Sequence, residues 1–570
     1  MRTQATRRMR MVVMITIGFM VGAPHTAQLA QDRSSTVSAQ FRRFDDCGHP
    51  GRGTGHGKGH ARVCRSGSSS GVARGDFDGD GFGDLAIGVP NENVPRPRQT
   101  TAAAAGQVTI IYGSPIGLAA TAVEGLPAPR PSQLWHQSVG AMADTVEAND
   151  RFGSALASGD FDADGFSDLA VSVPGERDAS GVQRGAIHLL FGSASGLTAT
   201  GNRLISGTQF SLSGQPLFLL DSLGWGDFNK DGFGDLVVEA GGAEDGVPPP
   251  PSSPVAAAIV LPGSSTGLDP ETAAVFSIDD AIFTNEGGTF VDMNFSAGDV
   301  DGNGFDDLVI GKPAAPFGGA IEILDGSPQG LTTARRQIID QRASKLSDTA
   351  SSDRFGAALA VGDFDGDGFD DVAVGVPGEG IGSSGAAGSV EVLMGSPDGA
   401  DPSNALRLRQ GAGGIPGVAQ SSDAFGAALA AGDFDGNGRK DLAIGVPGEN
   451  VGTIARAGGI NVIHGSATGL SPTAGPGVRF FTQTPSTGIA EAGDRFGSAL
   501  TAWNFGSGSE ADLAIGVPSE DVGNLVDAGA VNVIYGSATG LSPSSQFWTS
   551  NSPGVPEAAE AGDRFGAAVY

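Results

Sequence analysis

The chain has 570 residues, among them Gly 92 and Pro 33, a content below the level that marks structureless low complexity, so a globular fold is open to it. Lys and Arg number 34 against 64 Asp and Glu, a formal net charge of −30, which disfavours capture of DNA, RNA or an anionic membrane surface and favours cations as partners. Length alone suggests about three or four domains, a prior that internal repetition overrides.

Residues 1–10 carry Arg2, Arg7, Arg8 and Arg10 and no acid, and they precede the apolar run from Met11 to Val21. That is the layout of a secretory signal, whose apolar core is shorter than the about 20 residues a bilayer requires. Residues 1–30 are therefore expected to be a signal peptide, and the mature chain to be secreted or held at the cell surface, extracellular and without a transmembrane segment. A retained, membrane-anchored N-terminus is the alternative, because Ala23, Ala27 and Ala30 make imperfect cleavage positions; Thr6-Arg7-Arg8 hints at a twin-arginine route. Residues 31–69 form a linker rich in Gly, His and Cys. Its Cys47 and Cys64 bracket His49, His56 and His60, and three readings stay open: a disulfide, a Cys/His metal site, or two free thiols. So many glycines leave little packed structure there in any of them.

From residue 70 to 570 one phrase recurs about every 70 residues. Its core reads DFDGDGFGD (76–84), DFDADGFSD (160–168), DFNKDGFGD (227–235), DVDGNGFDD (299–307), DFDGDGFDD (363–371) and DFDGNGRKD (433–441), with a degraded copy, NFGSGSEAD, at 504–512. A second marker occurs in step with it: YGSPIGL, FGSASGL, PGSSTGL, DGSPQGL, MGSPDGA, HGSATGL and YGSATGL. Both give seven units. The apolar runs within a unit, such as Val108 to Tyr112, are short, rich in β-branched residues and bounded by turn formers, which makes them strands. The expected class is all-β: seven small sheets arranged radially as a seven-bladed propeller.

Phe-Gly followed by a GDFDGDG core and a GVP tripeptide resembles the FG-GAP repeat of integrin α-subunit head domains and of many secreted bacterial proteins. The pair stands at Phe152, Phe355, Phe425, Phe496 and Phe565, whereas Ser68-Ser69, Leu219-Leu220 and Val291-Asp292 replace it in units one, three and four, where a different packing is expected. Unit one lacks its opening Asp-Arg-Phe-Gly, and a spare copy begins at Asp563. The C-terminal strand is thus expected to close the first blade, with truncation at the start of an eighth unit as the alternative.

In each intact core, oxygen donors fall at positions one, three, five and nine, with Gly at position six for a sharp turn. The candidate ligands are Asp76, Asp78, Asp80 and Asp84; Asp160, Asp162, Asp164 and Asp168; Asp227, Asn229, Asp231 and Asp235; Asp299, Asp301, Asn303 and Asp307; Asp363, Asp365, Asp367 and Asp371; and Asp433, Asp435, Asn437 and Asp441. Hard oxygens at alternating positions of a tight loop suit Ca²⁺ better than the strictly octahedral, water-retaining Mg²⁺. The FG-GAP resemblance adds the backbone carbonyls of Phe82, Phe166, Phe233, Phe305, Phe369 and Arg439 at position seven. About six structural Ca²⁺ sites follow, because so many carboxylates in one loop repel each other without a cation. The seventh loop, with Asn504, Gly506 and Gly508 where acids stand elsewhere, is expected not to bind.

Other motifs carry little. Gly263 to Gly267 matches a nucleophile elbow, but sister repeats place Ala467 or Ala538 where its serine stands; Gly380, Gly382 and Gly385 precede a strand, not a phosphate-binding helix. His188 and His464 read as packing or surface residues, His136 stands apart from them, and the four tryptophans occupy unmatched positions. Asn294-Phe295-Ser296 is a lone glycosylation sequon. No catalytic residue is assigned, and binding is favoured over catalysis. The resemblance implies an integrin-α-like interaction or adhesion module with an extracellular protein or glycan ligand. The alternative is a polysaccharide-acting enzyme or lectin on the same scaffold. Specificity is expected in the irregular loops 91–105, 124–149 and 242–254.

Overall fold

Each repeat becomes one antiparallel four-stranded sheet, because its apolar runs are only long enough for strands and its Gly-rich joints permit tight reversals. The computed structural model describes residues 75–570 apart from 97–100, 122–129, 141, 213, 242–255, 279–292, 345–349, 351, 485–487 and 543–544. The signal-peptide and linker readings, Cys47 and Cys64, and the loop 242–254 lie outside the described residues. Among those described, seven four-stranded sheets and one two-stranded ribbon are formed. The architecture is a seven-bladed β-propeller.

Blade two shows the pattern: Leu156–Gly159, Asp168–Val173, Ala186–Phe191 and Thr198–Ser206, running outward in sequence order. The first strands of the later blades (Phe218–Gly226, Asn294–Gly298, Leu359–Gly362, Leu429–Gly432 and Ala499–Trp503) follow one another around an axial cavity of about 290 Å³. Leu156, Phe295, Leu359, Leu429, Leu500 and Val569 are in its wall.

Blade one takes its first strand from the far end of the sequence. Ala568–Val569 pairs antiparallel with Leu85–Val89, matching Val569 to Ile87 and Ala568 to Gly88. Ala86 and Tyr570 exchange both backbone hydrogen bonds, at 2.9 and 3.0 Å. This covers an edge that would otherwise be open to pairing with another chain. Phe565 from the same segment fills the site that Phe152, Phe355, Phe425 and Phe496 fill elsewhere, so five seams between blades carry a buried Phe of a Phe-Gly pair. In the seam of blades two and three Leu219 takes that place, and its N–H donates to the Arg184 carbonyl at 2.9 Å much as Phe152 donates to Ala105 at 2.8 Å.

The second and third strands are buried on both faces, which explains their nearly continuous apolar sequences. Alternation then sends successive side chains into different seams: Leu85, Ile87 and Val89 face blade seven, while Ala86 faces blade two. Seven large hydrophobic clusters result, one in every seam. Position two of each Asp core plugs one of them: Phe77, Phe161, Phe228, Val300, Phe364, Phe434 and Phe505 are all fully buried. Among the described residues no helix is long and apolar enough to cross a membrane.

Candidate metal sites

Every Asp core lies in the reversal from the first to the second strand, at one face of the ring. The turn is shaped by the carboxylate at position one, which accepts backbone N–H groups from positions five and six: Asp164 and Gly165 donate to Asp160 at 3.1 and 3.0 Å, Asn437 and Gly438 to Asp433 at 3.0 and 2.8 Å. Position five accepts from position seven, as in Phe166 to Asp164 at 3.0 Å. Gly at position six adopts a left-handed φ in all six intact loops, from +82° at Gly438 to +94° at Gly81, Gly165 and Gly368. These turns direct the carboxylates inward. In loops one, two and four the acids at positions one, three and nine each bring an oxygen within 4.8 Å of the others.

Position nine has a second role that spacing alone does not reveal. Its Oδ2 accepts the N–H of position two, and its Oδ1 accepts the N–H of the Gly that opens the later Gly-Ser turn of the same blade. Asp168 does so to Phe161 and Gly192 at 3.0 and 2.9 Å, and Asp371 to Phe364 and Gly395 at 3.0 and 2.9 Å. Asp512 does the same in the seventh loop, to Phe505 and Gly536, both at 2.8 Å. That loop has lost the acids at positions one, three and five, and Asn504 closes it internally, accepting from Gly506 at 2.9 Å and donating to the Gly508 carbonyl at 3.3 Å. The clamp thus recurs where the ligand set does not.

The loops are also joined to one another. Position eight of one loop donates its N–H to the position-one carbonyl of the preceding loop, as in Ser167 to Asp76 at 2.9 Å, Lys440 to Asp363 at 2.9 Å and, across the closure, Gly83 to Asn504 at 2.7 Å. Two loops have an arginine beside their acids. Arg130 Nε lies 2.5 Å from Asp78 Oδ2, and an Arg335 nitrogen lies 2.8 Å from Asp301 Oδ2.

The donors are of the kind Ca²⁺ takes: carboxylates and an occasional Asn amide are hard oxygens. Asp299 Oδ1 is buried with no hydrogen-bond partner among the described residues, as an oxygen reserved for a cation would be. Without a cation, burial drives four of the position-nine acids up, reinforced by neighbouring acids: Asp168 to about 9, Asp307 to about 8, and Asp235 and Asp371 to about 7. At position three, burial and Asp164 raise Asp162 to about 6.

The FG-GAP repeat family model matches residues 69–111, 152–190, 293–324, 355–399 and 425–460. This is an FG-GAP repeat propeller. In repeat signature and bladed architecture it resembles the N-terminal propeller of integrin α-subunits. Integrin alpha-5 of Xenopus laevis is 29% identical over 265 residues, covering 44% of this chain and 22% of that one. Integrin alpha-V of Gallus gallus is 36% identical over 126 residues, 22% and 12% of the respective chains. Phosphatidylinositol-glycan-specific phospholipase D of Rattus norvegicus is 31% identical over 185 residues, 31% of this chain and 19% of its own. The matched stretch is less than a quarter of each relative's length. Units three and seven fall outside the family-matched ranges, the first with Leu219 in place of the Phe and the second without the full acid set.

Three outcomes follow for the FG-GAP loops. Asp512→Asn leaves one buried N–H unpaired and should destabilise the protein by about 1–3 kcal/mol without changing the number of bound Ca²⁺ ions. Asp162→Ala, which removes the position-three oxygen altogether, should remove one ion while costing the chelated protein little stability, because the N–H that Asp162 accepts from Asp164 also donates to Asp160; denaturant titration and calcium counting read both. The third outcome concerns pH. The raised acids bind protons more tightly folded than unfolded, so the stability they confer on the chelated protein is present below about pH 4 and lost as pH rises towards about 9. Excess Ca²⁺ should flatten that slope, because the cation replaces the protons.

Proposed function

We propose that the protein is a secreted or surface-exposed Ca²⁺-binding propeller that acts as an interaction or adhesion module, with an extracellular protein or glycan as ligand. The observation that carries this reading is the repetition of the acid loops: six keep the donor phase, and all stand at the same corner of their blades. Ions at those corners fix the first-to-second strand reversals, which leaves the other face free to vary. Asp76, Asp78, Asp80, Asp84 and the Phe82 carbonyl would hold the first ion, and the matching residues of loops two to six the others.

The binding face is the one opposite the Asp cores, where second-to-third and fourth-to-first connections emerge. Its loops are the irregular ones, 91–105 and part of 124–149 among them. Exposed apolar side chains stand in its connections: Phe317 at 49%, Val418 at 70%, Ile489 at 69% and Val526 at 57%. Isolated exposed residues are ordinary on any surface, but these lie at one end of the ring and supply the apolar contacts that interfaces centre on. The leader sequence and the Gly-rich segment before the propeller accord with export.

The test is a screen of the immobilised mature protein against matrix proteins and glycans, in Ca²⁺ and in chelator. Saturable binding, lost with chelator and weakened at least about tenfold by Val418→Asp with Ile489→Asp, is expected. Cleavage of a polysaccharide, with no saturable binding that these variants weaken, would overturn the reading.

A further inference from the structure

The residue before each Gly-Ser turn varies from blade to blade: Tyr112, Phe191, Pro262, Asp325, Met394, His464 and Tyr535. Tyr112 and Tyr535 reach across a seam, where their hydroxyls accept the N–H of Leu197 and Leu118 at 3.2 and 2.9 Å. His464 is shorter and turns into its own Asp loop. It is fully buried, with Nδ1 3.0 Å from Asp441 Oδ2 and 3.5 Å from Asp435 Oδ2. Asp435, Asp441 and His464 bring their ligand atoms within 4.8 Å of one another.

Neither ring nitrogen makes a hydrogen bond among the described residues, despite these short distances. Two buried ring nitrogens without hydrogen-bond partners carry a heavy cost. A neutral imidazole whose Nδ1 lone pair binds a cation shared with the two carboxylates leaves only Nε2 to account for. The other five intact loops place Tyr, Phe, Pro, Asp or Met at this point, so none of them adds a nitrogen donor.

Nitrogen changes which ion a site favours. Ca²⁺ takes oxygen ligands, whereas imidazole suits Zn²⁺ and its first-row neighbours, whose affinities for a given N/O site follow the Irving–Williams order. Building on the reading of the Asp cores as cation sites, we propose that the sixth is a transition-metal site of the Zn²⁺ class, held by His464 Nδ1 with Asp435, Asp441 and other donors of its loop, beside five Ca²⁺ sites.

The test uses the full chain and the His464→Met variant, which installs the residue that unit five carries at Met394. Both are loaded with excess Ca²⁺, titrated with Zn²⁺ by calorimetry, and analysed for both metals. The wild type should bind one more equivalent of Zn²⁺ than the variant, a difference to which the Cys and His of residues 31–69 do not contribute, being present in both. With Mn²⁺ as the probe, electron spin-echo spectroscopy should show imidazole nitrogen coupling in the wild type that disappears in the variant. Equal Zn²⁺ counts and no difference in nitrogen coupling, with Ca²⁺ bound to both proteins, would overturn this inference alone. No bound Ca²⁺ in either would instead overturn the reading of the loops on which it rests. If His464→Met unfolds, His464→Gln, which keeps polarity but loses the imidazole, serves in its place.

Discussion

The structure depends on the aspartate at position nine. One carboxylate joins the start of its own loop to the Gly-Ser turn two strands later, so that both reversals at this end of the blade are held by a single buried side chain. Phe364 and Gly395, for example, donate to the two oxygens of Asp371 at 3.0 and 2.9 Å. The clamp also fixes the direction of position two, whose aromatic ring then enters the seam with the next blade. A buried carboxylate is costly unless its charge is matched, and backbone N–H groups supply part of that match. A cation in the loop would supply the rest, and would thereby couple local geometry to ion binding.

Propagation around the ring follows from that clamp. The position-one carbonyl of each loop is turned outward to the following blade, and the position-two ring and the Phe-Gly ring fill the same seam from its two ends. Such close approach explains the glycine content. A Cβ on Gly175 would stand 1.8 Å from the Asn149 carbonyl oxygen, and one on Gly448 would stand 1.8 Å from that of Ser422. The Gly after Val-Pro is thus where the fourth-to-first connection crosses the blade. With aromatic residues at 6%, stability comes from seven similar seams rather than from one large core.

Much of this was legible in the sequence. Two markers in fixed phase gave the number of blades, the short β-branched runs gave the strands, and the alternating acids gave the loop geometry. The double role of position nine was less visible, because an aspartate there reads equally well as a ligand. The clue was present in NFGSGSEAD, which discards most other acids and keeps Asp512. Arg130 and Arg335 could not be assigned, since each meets its acid only after two strands have folded back, at 52 and 34 residues' separation. His464 was read as a packing or surface residue. It is fully buried, as a packing residue would be, but its ring faces Asp435 and Asp441, a placement set by the register of the third strand.

The central claim is that cations pin the loops. Its most direct test is thermal unfolding of the mature protein in excess Ca²⁺ and in chelator, with bound metal counted in the same sample. About six ions and a large fall in the unfolding temperature on chelation are expected. A protein that binds no divalent cation and unfolds at the same temperature in both conditions would contradict the account, leaving the acid loops as solvated turns held by the aspartate clamp alone.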